Sequence, residues 1–186
     1  MQFYPEVPHW WYAMIAIPSF ILLFTAIEIF PTGLPIWGAI VAVLIALTLA
    51  VPSAILRAIT NQLVVTNVLA EMIAGYIFPG RPVANMIFKA VVVLGTSQSV
   101  TFAGDLKLGH YMKIPPRMMF TVQLVAVLIS CFLCLGIQQW MFAHVIDICT
   151  PDQPNGFTCS PTRFFATASF IWGDIGPARL FSHGAL

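Results

Sequence analysis

The chain has 186 residues, 59% of them hydrophobic and only 8% charged, and its mean hydropathy is +0.90. Soluble domains run near 45–50% apolar and about 25% charged, so an ordinary water-soluble domain is excluded, and so much apolar area also argues against disorder. Eight basic residues against seven acidic ones, a net charge of +1, leave no electrostatic footprint for nucleic acid; the partner this composition predicts is membrane lipid.

A helix that crosses about 30 Å of hydrocarbon takes roughly 20 mostly apolar residues, and five windows qualify. The first, 10–30, opens with Trp10, Trp11 and Tyr12, which suit an interfacial aromatic belt, and holds one acid, Glu28, near its end. It exceeds a signal-peptide core in length, and no basic region precedes it. The second, 36–56, carries no charge and follows Pro31-Thr32-Gly33-Leu34-Pro35, a tight turn at a membrane face. The third, 58–80 with its span near 60–79, has Glu71 as its single charge; the fourth, 83–104, has Lys89; the fifth, 118–146, has none. A further apolar stretch, 164–173, is too short to cross and reads either as an interfacial segment or as the point where a longer protein is cut off. The expected fold is all-α, a polytopic integral membrane protein with about five transmembrane helices, forming a single membrane domain over 1–186.

Basic residues in short loops set sidedness. If all five windows span, Arg57, Lys107, Lys113 and Arg117 share one side, the expected cytoplasm, and Arg81 and Arg163 share the other. A re-entrant 60–79 would invert everything before it. The loop 147–163 then lies outside, where Cys149 and Cys159 are disulfide candidates, two free thiols being the alternative. Cys131 and Cys134 form a C-x-x-C inside an apolar span and read as small packing residues. No metal site and no cofactor is expected, and His144 is not read as a metal ligand.

An ionisable group at a helix centre costs around 2.5–3.5 kcal/mol on insertion scales, so each one calls for a reason. At 100° per residue Thr60, Asn67, Glu71 and Gly75 share a stripe of the third window, and Asn85, Lys89, Thr96 and Ser99 share one of the fourth. Both stripes must face protein or water. The windows are joined by Pro79-Gly80-Arg81-Pro82, which stops one helix and starts the next. Counted from that turn at 1.5 Å per residue, Glu71 lies about 14 Å down one arm and Lys89 about 13 Å down the other. They are therefore expected to face each other or to share a small aqueous cavity. Three readings follow: a structural ion pair that holds a hairpin, a site at which Glu71 gains and loses a proton during transport, or two groups that never meet.

Beyond the fourth window, Pro115 and Pro116 form a rigid hinge flanked by Lys113 and Arg117. These cations are either anchors at a membrane edge or groups at the mouth of a pathway, where they would meet a substrate carboxylate. In the fifth window Gln138, Gln139, Trp140 and His144 read as interfacial, and Gln123 as a candidate for an interhelical hydrogen bond.

Several runs resemble the oligopeptide transporter (OPT) family, small-oligopeptide branch. They are Asn61-Gln62 followed by Asn67 and Glu71; Gly75-Tyr76-Ile77-Phe78-Pro79-Gly80-Arg81-Pro82-Val83-Ala84-Asn85; and Lys107-Leu108-Gly109-His110-Tyr111-Met112-Lys113-Ile114-Pro115-Pro116-Arg117. Phe157-Thr158-Cys159-Ser160-Pro161 is similar to the family's Trp-Thr-Cys-Pro, with phenylalanine for tryptophan and a serine before the proline. Trp172-Gly173-Asp174-Ile175-Gly176-Pro177 resembles its Trp-Gly-x-Ile-Gly-Pro element. Family members are several times longer and carry an upstream Asn-Pro-Gly signature absent here, so the chain resembles a C-terminal portion that also lacks the last spans.

The resemblance implies secondary active transport of small oligopeptides, or of thiol peptides or metal chelates in some members, by proton-coupled symport, with the plasma membrane as the expected location. Glu71 and Lys89 would be the proton-coupling residues. Asn67, Asn85, Tyr111, Lys113, Pro115, Pro116 and Arg117 would line or gate the substrate pathway. An alternative is a truncated, transport-incompetent fragment that serves only as an assembly or interaction segment. An enzyme is not expected: H-E-x-x-H, G-x-S-x-G and a close pair of membrane carboxylates are all missing from the sequence.

Overall fold

The computed structural model describes residues 5–62, 66–145 and 159–181, and every regular element among them is helical. In chain order these are α1 (His9–Ile29), α2 (Ile36–Thr60), α3 (Asn67–Ile77), α4 (Pro82–Tyr111), α5 (Pro116–His144), α6 (Ser160–Ala168), a π-helix (Ser169–Ile175) and α7 (Pro177–Phe181). Proline sets most of the starts. It is the first residue of α4, α5 and α7, where its missing N–H costs nothing and its fixed φ suits a helix, and it immediately precedes α1 and α2.

Four helices, α1, α2, α4 and α5, are long and apolar enough to cross a membrane. The third expected span is different. α2 runs on to Thr60 and ends where Asn61 turns left-handed, at φ 56° and ψ 17°, a conformation asparagine adopts more readily than most residues. α3 then has 11 residues, about 16 Å at 1.5 Å per residue, which is short of a crossing. Thr60 therefore belongs to α2, and the single stripe expected to join it to Asn67, Glu71 and Gly75 does not form.

The chain divides into two compact units. One comprises Pro8–Asp105 and Ala166–Leu186. Its core is built from small side chains that let helix backbones approach closely: Ala39 and Ala42 on α2, Ala70 and Ala74 on α3 and Ala84 on α4, with Phe88 and Val92 filling the centre. α2 and α4 run parallel. At one end Arg81 Nη1 donates to the Gly33 carbonyl at 3.1 Å and the Trp37 and Phe78 rings lie 5.3 Å apart. Further along, Thr96 Oγ1 donates to the Ala46 carbonyl at 3.4 Å; at the far end Arg57 Nη1 donates to Thr101 Oγ1 at 3.3 Å. Arg57 and Arg81 thus stand at opposite ends of this unit. Hydroxyls on the long helices are satisfied locally: Ser19 and Thr25 each donate at 2.8 Å to the carbonyl four residues back, which makes them tolerable beside lipid.

The second unit comprises Met1–Val7 and Leu106–Phe165. Here α4 closes with paired bonds from Ile114 N–H to the Gly109 carbonyl at 3.0 Å and from Lys113 N–H to the His110 carbonyl at 3.2 Å. Lys113 occupies the left-handed position at φ 56°, which glycine usually takes in this motif. α5 follows at once, exposed around its whole circumference from Val125 to Trp140. Cys131 and Cys134 are exposed free thiols on it.

Candidate functional site

α3 and α4 form a short antiparallel hairpin around Phe78-Pro79-Gly80-Arg81. The turn is closed by Phe78 N–H on the Ala74 carbonyl at 2.8 Å and Arg81 N–H on the Phe78 carbonyl at 3.3 Å, and Gly80 supplies the positive φ of 72° that it needs. Glu71 is seven residues before Phe78 and Lys89 seven after Pro82, so each lies about 10 Å in from the turn. At that depth Lys89 Nζ donates to Glu71 Oε1. Both residues are buried, at 8% and 4% exposure. Each charge removed from water is thereby met by its opposite, which is the condition under which such groups persist in an apolar interior.

Asn85 lies one turn of α4 nearer the hairpin tip and is completely buried. Its Nδ2 donates to two backbone carbonyls, that of Glu71 at 3.3 Å and that of Trp172 at 3.1 Å. Its Oδ1 has no hydrogen-bond partner among the described residues. Asn67 opens α3 one turn before Glu71 and is half-buried.

The Trp172 carbonyl comes from the π-helix, whose role the sequence reading missed. The segment is seated on the hairpin through two glycines. A Cβ on Gly75 would fall 2.4 Å from Pro177 Cδ and 2.6 Å from the Trp172 carbonyl oxygen; one on Gly173 would fall 2.4 Å from Pro82 Cα. Gly80 N–H also donates to the Gly173 carbonyl at 3.1 Å. The signal available in the sequence was a glycine in an apolar helix, Gly75, and a second in Trp172-Gly173-Asp174-Ile175-Gly176-Pro177. Nothing in their spacing pairs them.

Tyr111, Lys113, Pro115, Pro116 and Arg117 belong to the other unit. There Lys107 Nζ sits 5.8 Å from the Tyr111 ring centroid, and Arg117 Nε donates to the Glu6 carbonyl at 3.2 Å. Of the expected site residues, the structure brings Glu71, Lys89 and Asn85 together, with Asn67 a turn away. The Cys149–Cys159 candidate rests on Cys149, which lies outside the described residues. A cavity of about 400 Å³ opens beside the hairpin tip, lined by Pro35, Trp37, Ile77, Phe78, Pro79 and Arg81; neither charged partner of the buried pair lines it. Among the described residues no cluster of three or more His, Cys, Asp or Glu side chains gathers as a metal site.

Residues 1–183 match the family described as OPT oligopeptide transporter protein. The chain is 45% identical to glutathione transporter 1 of Schizosaccharomyces pombe, over 99% of this chain and 22% of that protein. It is 45% identical to oligopeptide transporter 1 of Arabidopsis thaliana, over 96% of this chain and 24% of that one. To oligopeptide transporter 1 of Saccharomyces cerevisiae it is 42% identical, over 98% and 23% respectively. The chain thus spans about a quarter of the length of the curated relatives it matches. No solved structure gives a significant match.

Proposed function

Because the chain belongs to the OPT oligopeptide transporter family, we propose that it forms part of a secondary transporter that carries small peptides across a membrane together with protons. The relatives' names supply the peptide; the observation that carries the coupling is the buried Glu71–Lys89 contact on an interrupted hairpin. Secondary transporters commonly place ligand and ion sites on discontinuous helices deep in the membrane, and α3 is such a helix.

The charge arithmetic is simple. With Glu71 ionised the pair is neutral. A proton arriving on Glu71 removes its negative charge, and the Lys89 ammonium then turns to an anionic group of the substrate. The site gains one proton and one carboxylate together and stays neutral, whereas either alone would leave a net charge in low dielectric. Asn67 and Asn85 border this exchange, and Tyr111, Lys113, Pro115, Pro116 and Arg117 are proposed as substrate-pathway or gating residues. The plasma membrane is the proposed location.

A second reading is kept for one observation, the quarter-length coverage of the relatives: the chain inserts and associates with other helices without moving solute. Uptake of a labelled tetrapeptide by cells expressing this chain separates the two. Accumulation driven by an acid-outside gradient supports transport by the chain itself. No accumulation, with uptake restored when the chain replaces the matching stretch of a full-length relative, assigns the activity to the longer assembly.

A further inference from the structure

The residues that hold the ion pair in register are not only those of the hairpin. Asn85 reaches both the Glu71 backbone and the π-helix through one amide nitrogen. Its Oδ1 has no hydrogen-bond partner among the described residues, so the orientation of the amide rests on its two N–H bonds. Glu71 and Lys89 each stand one turn or less from these bonds, Lys89 being four residues beyond Asn85 on α4 and the accepting carbonyl being that of Glu71 itself. The π-helix in turn has no slack: Gly173 meets Pro82 and Gly75 meets Trp172 and Pro177 with no room for a methyl group.

We propose that Asn85 is a positioning residue that couples the seating of the Ser169–Ile175 π-helix to the Glu71–Lys89 contact. With the segment seated, Asn85 fixes α3 against α4 at the register where the ammonium reaches the carboxylate. When the segment lifts, the Trp172 carbonyl leaves, the amide keeps only its bond to Glu71, and the pair opens to solvent. The π-helix is thus a latch on the proton site. π-turns within helices are rare and recur at functional positions. This inference rests on Glu71 and Lys89 being the coupling pair, but its test reads chemical protection, not transport, so it fails or stands separately.

Membranes of cells expressing the chain are treated with a permeant amine-acylating reagent, and modification of Lys89 is followed by mass spectrometry with Lys107, which is exposed, as internal reference. In the parent chain Lys89 is protected. Gly173→Ala, whose methyl group drives the segment off Pro82, raises the Lys89 rate by about tenfold or more, as expected for a local opening. Asn85→Leu, which fills the space without a donor, raises it similarly, and the double variant rises no further, because both act through one link. Should Gly173→Ala fail to accumulate, Gly75→Ala presses on the Trp172 carbonyl from the α3 side and gives the same readout. A Lys89 that stays protected when the segment is displaced, or effects of the two substitutions that multiply, overturns the coupling.

Discussion

Glu71 and Lys89 neutralise each other where both are buried. Removing one leaves a buried charge without its counter-ion, which costs about 3–5 kcal/mol, while replacing both with apolar side chains of similar size is about neutral. Lys89→Met is therefore expected to lower unfolding stability in detergent by about 3–5 kcal/mol, and Glu71→Leu with Lys89→Met to recover most of that loss. The double variant separates architecture from function: it is expected to fold while losing the proposed coupling of peptide movement to protons. Lys113 is a different case, since its left-handed backbone costs an L-residue roughly 1–2 kcal/mol that glycine does not incur. Lys113→Gly should raise the thermal midpoint slightly; a fall would show that the lysine side chain contributes more than its backbone costs. The ion pair was legible in the sequence because two lone charges sit at equal distances from one Pro-Gly-Arg-Pro turn. The bond from Asn85 to Trp172 was not, because its acceptor is a backbone carbonyl 87 residues away, and any residue at 172 would carry one.

At the scale of elements, four long helices could be read from hydropathy, and the interruption before α3 could not. Window averages count apolar side chains; they do not register a single residue such as Asn61 that takes a left-handed φ and ends α2. The stretch from 58 to 80 is apolar enough to be a span and is built otherwise. The seating of the π-helix likewise depends on absent side chains, which hydropathy scores as nearly nothing. Gly75→Ala and Gly173→Ala are each expected to destabilise by about 1–3 kcal/mol through overpacking against neighbouring backbone. Gly104→Ala and Gly136→Ala, where nothing lies within 4 Å, should be neutral or stabilising by up to about 1 kcal/mol, since alanine favours a helix. Thermal unfolding of the four variants in one detergent checks the contrast. Equal effects at all four would mean that the hairpin and the segment do not approach as closely as the structure has them.

For the molecule as a whole, the outer helices explain why the composition is so apolar. α1 buries only Ile27 and α5 only Phe120, so their many exposed apolar side chains face lipid or the helices of a longer protein. The chain should accordingly stay in the membrane pellet after alkaline carbonate extraction, whichever of those neighbours covers it. The chain belongs to the transporter family and covers about a quarter of the length of the relatives it matches, so the proposed coupling at the hairpin is best tested within a complete pathway. The direct measurement is peptide accumulation under an acid-outside gradient, compared for the parent and Glu71→Gln with the chain carried in a full-length relative. The account predicts that Glu71→Gln abolishes gradient-driven accumulation while peptide exchange down its own gradient persists. Gradient-driven accumulation at the parental level in Glu71→Gln would contradict it.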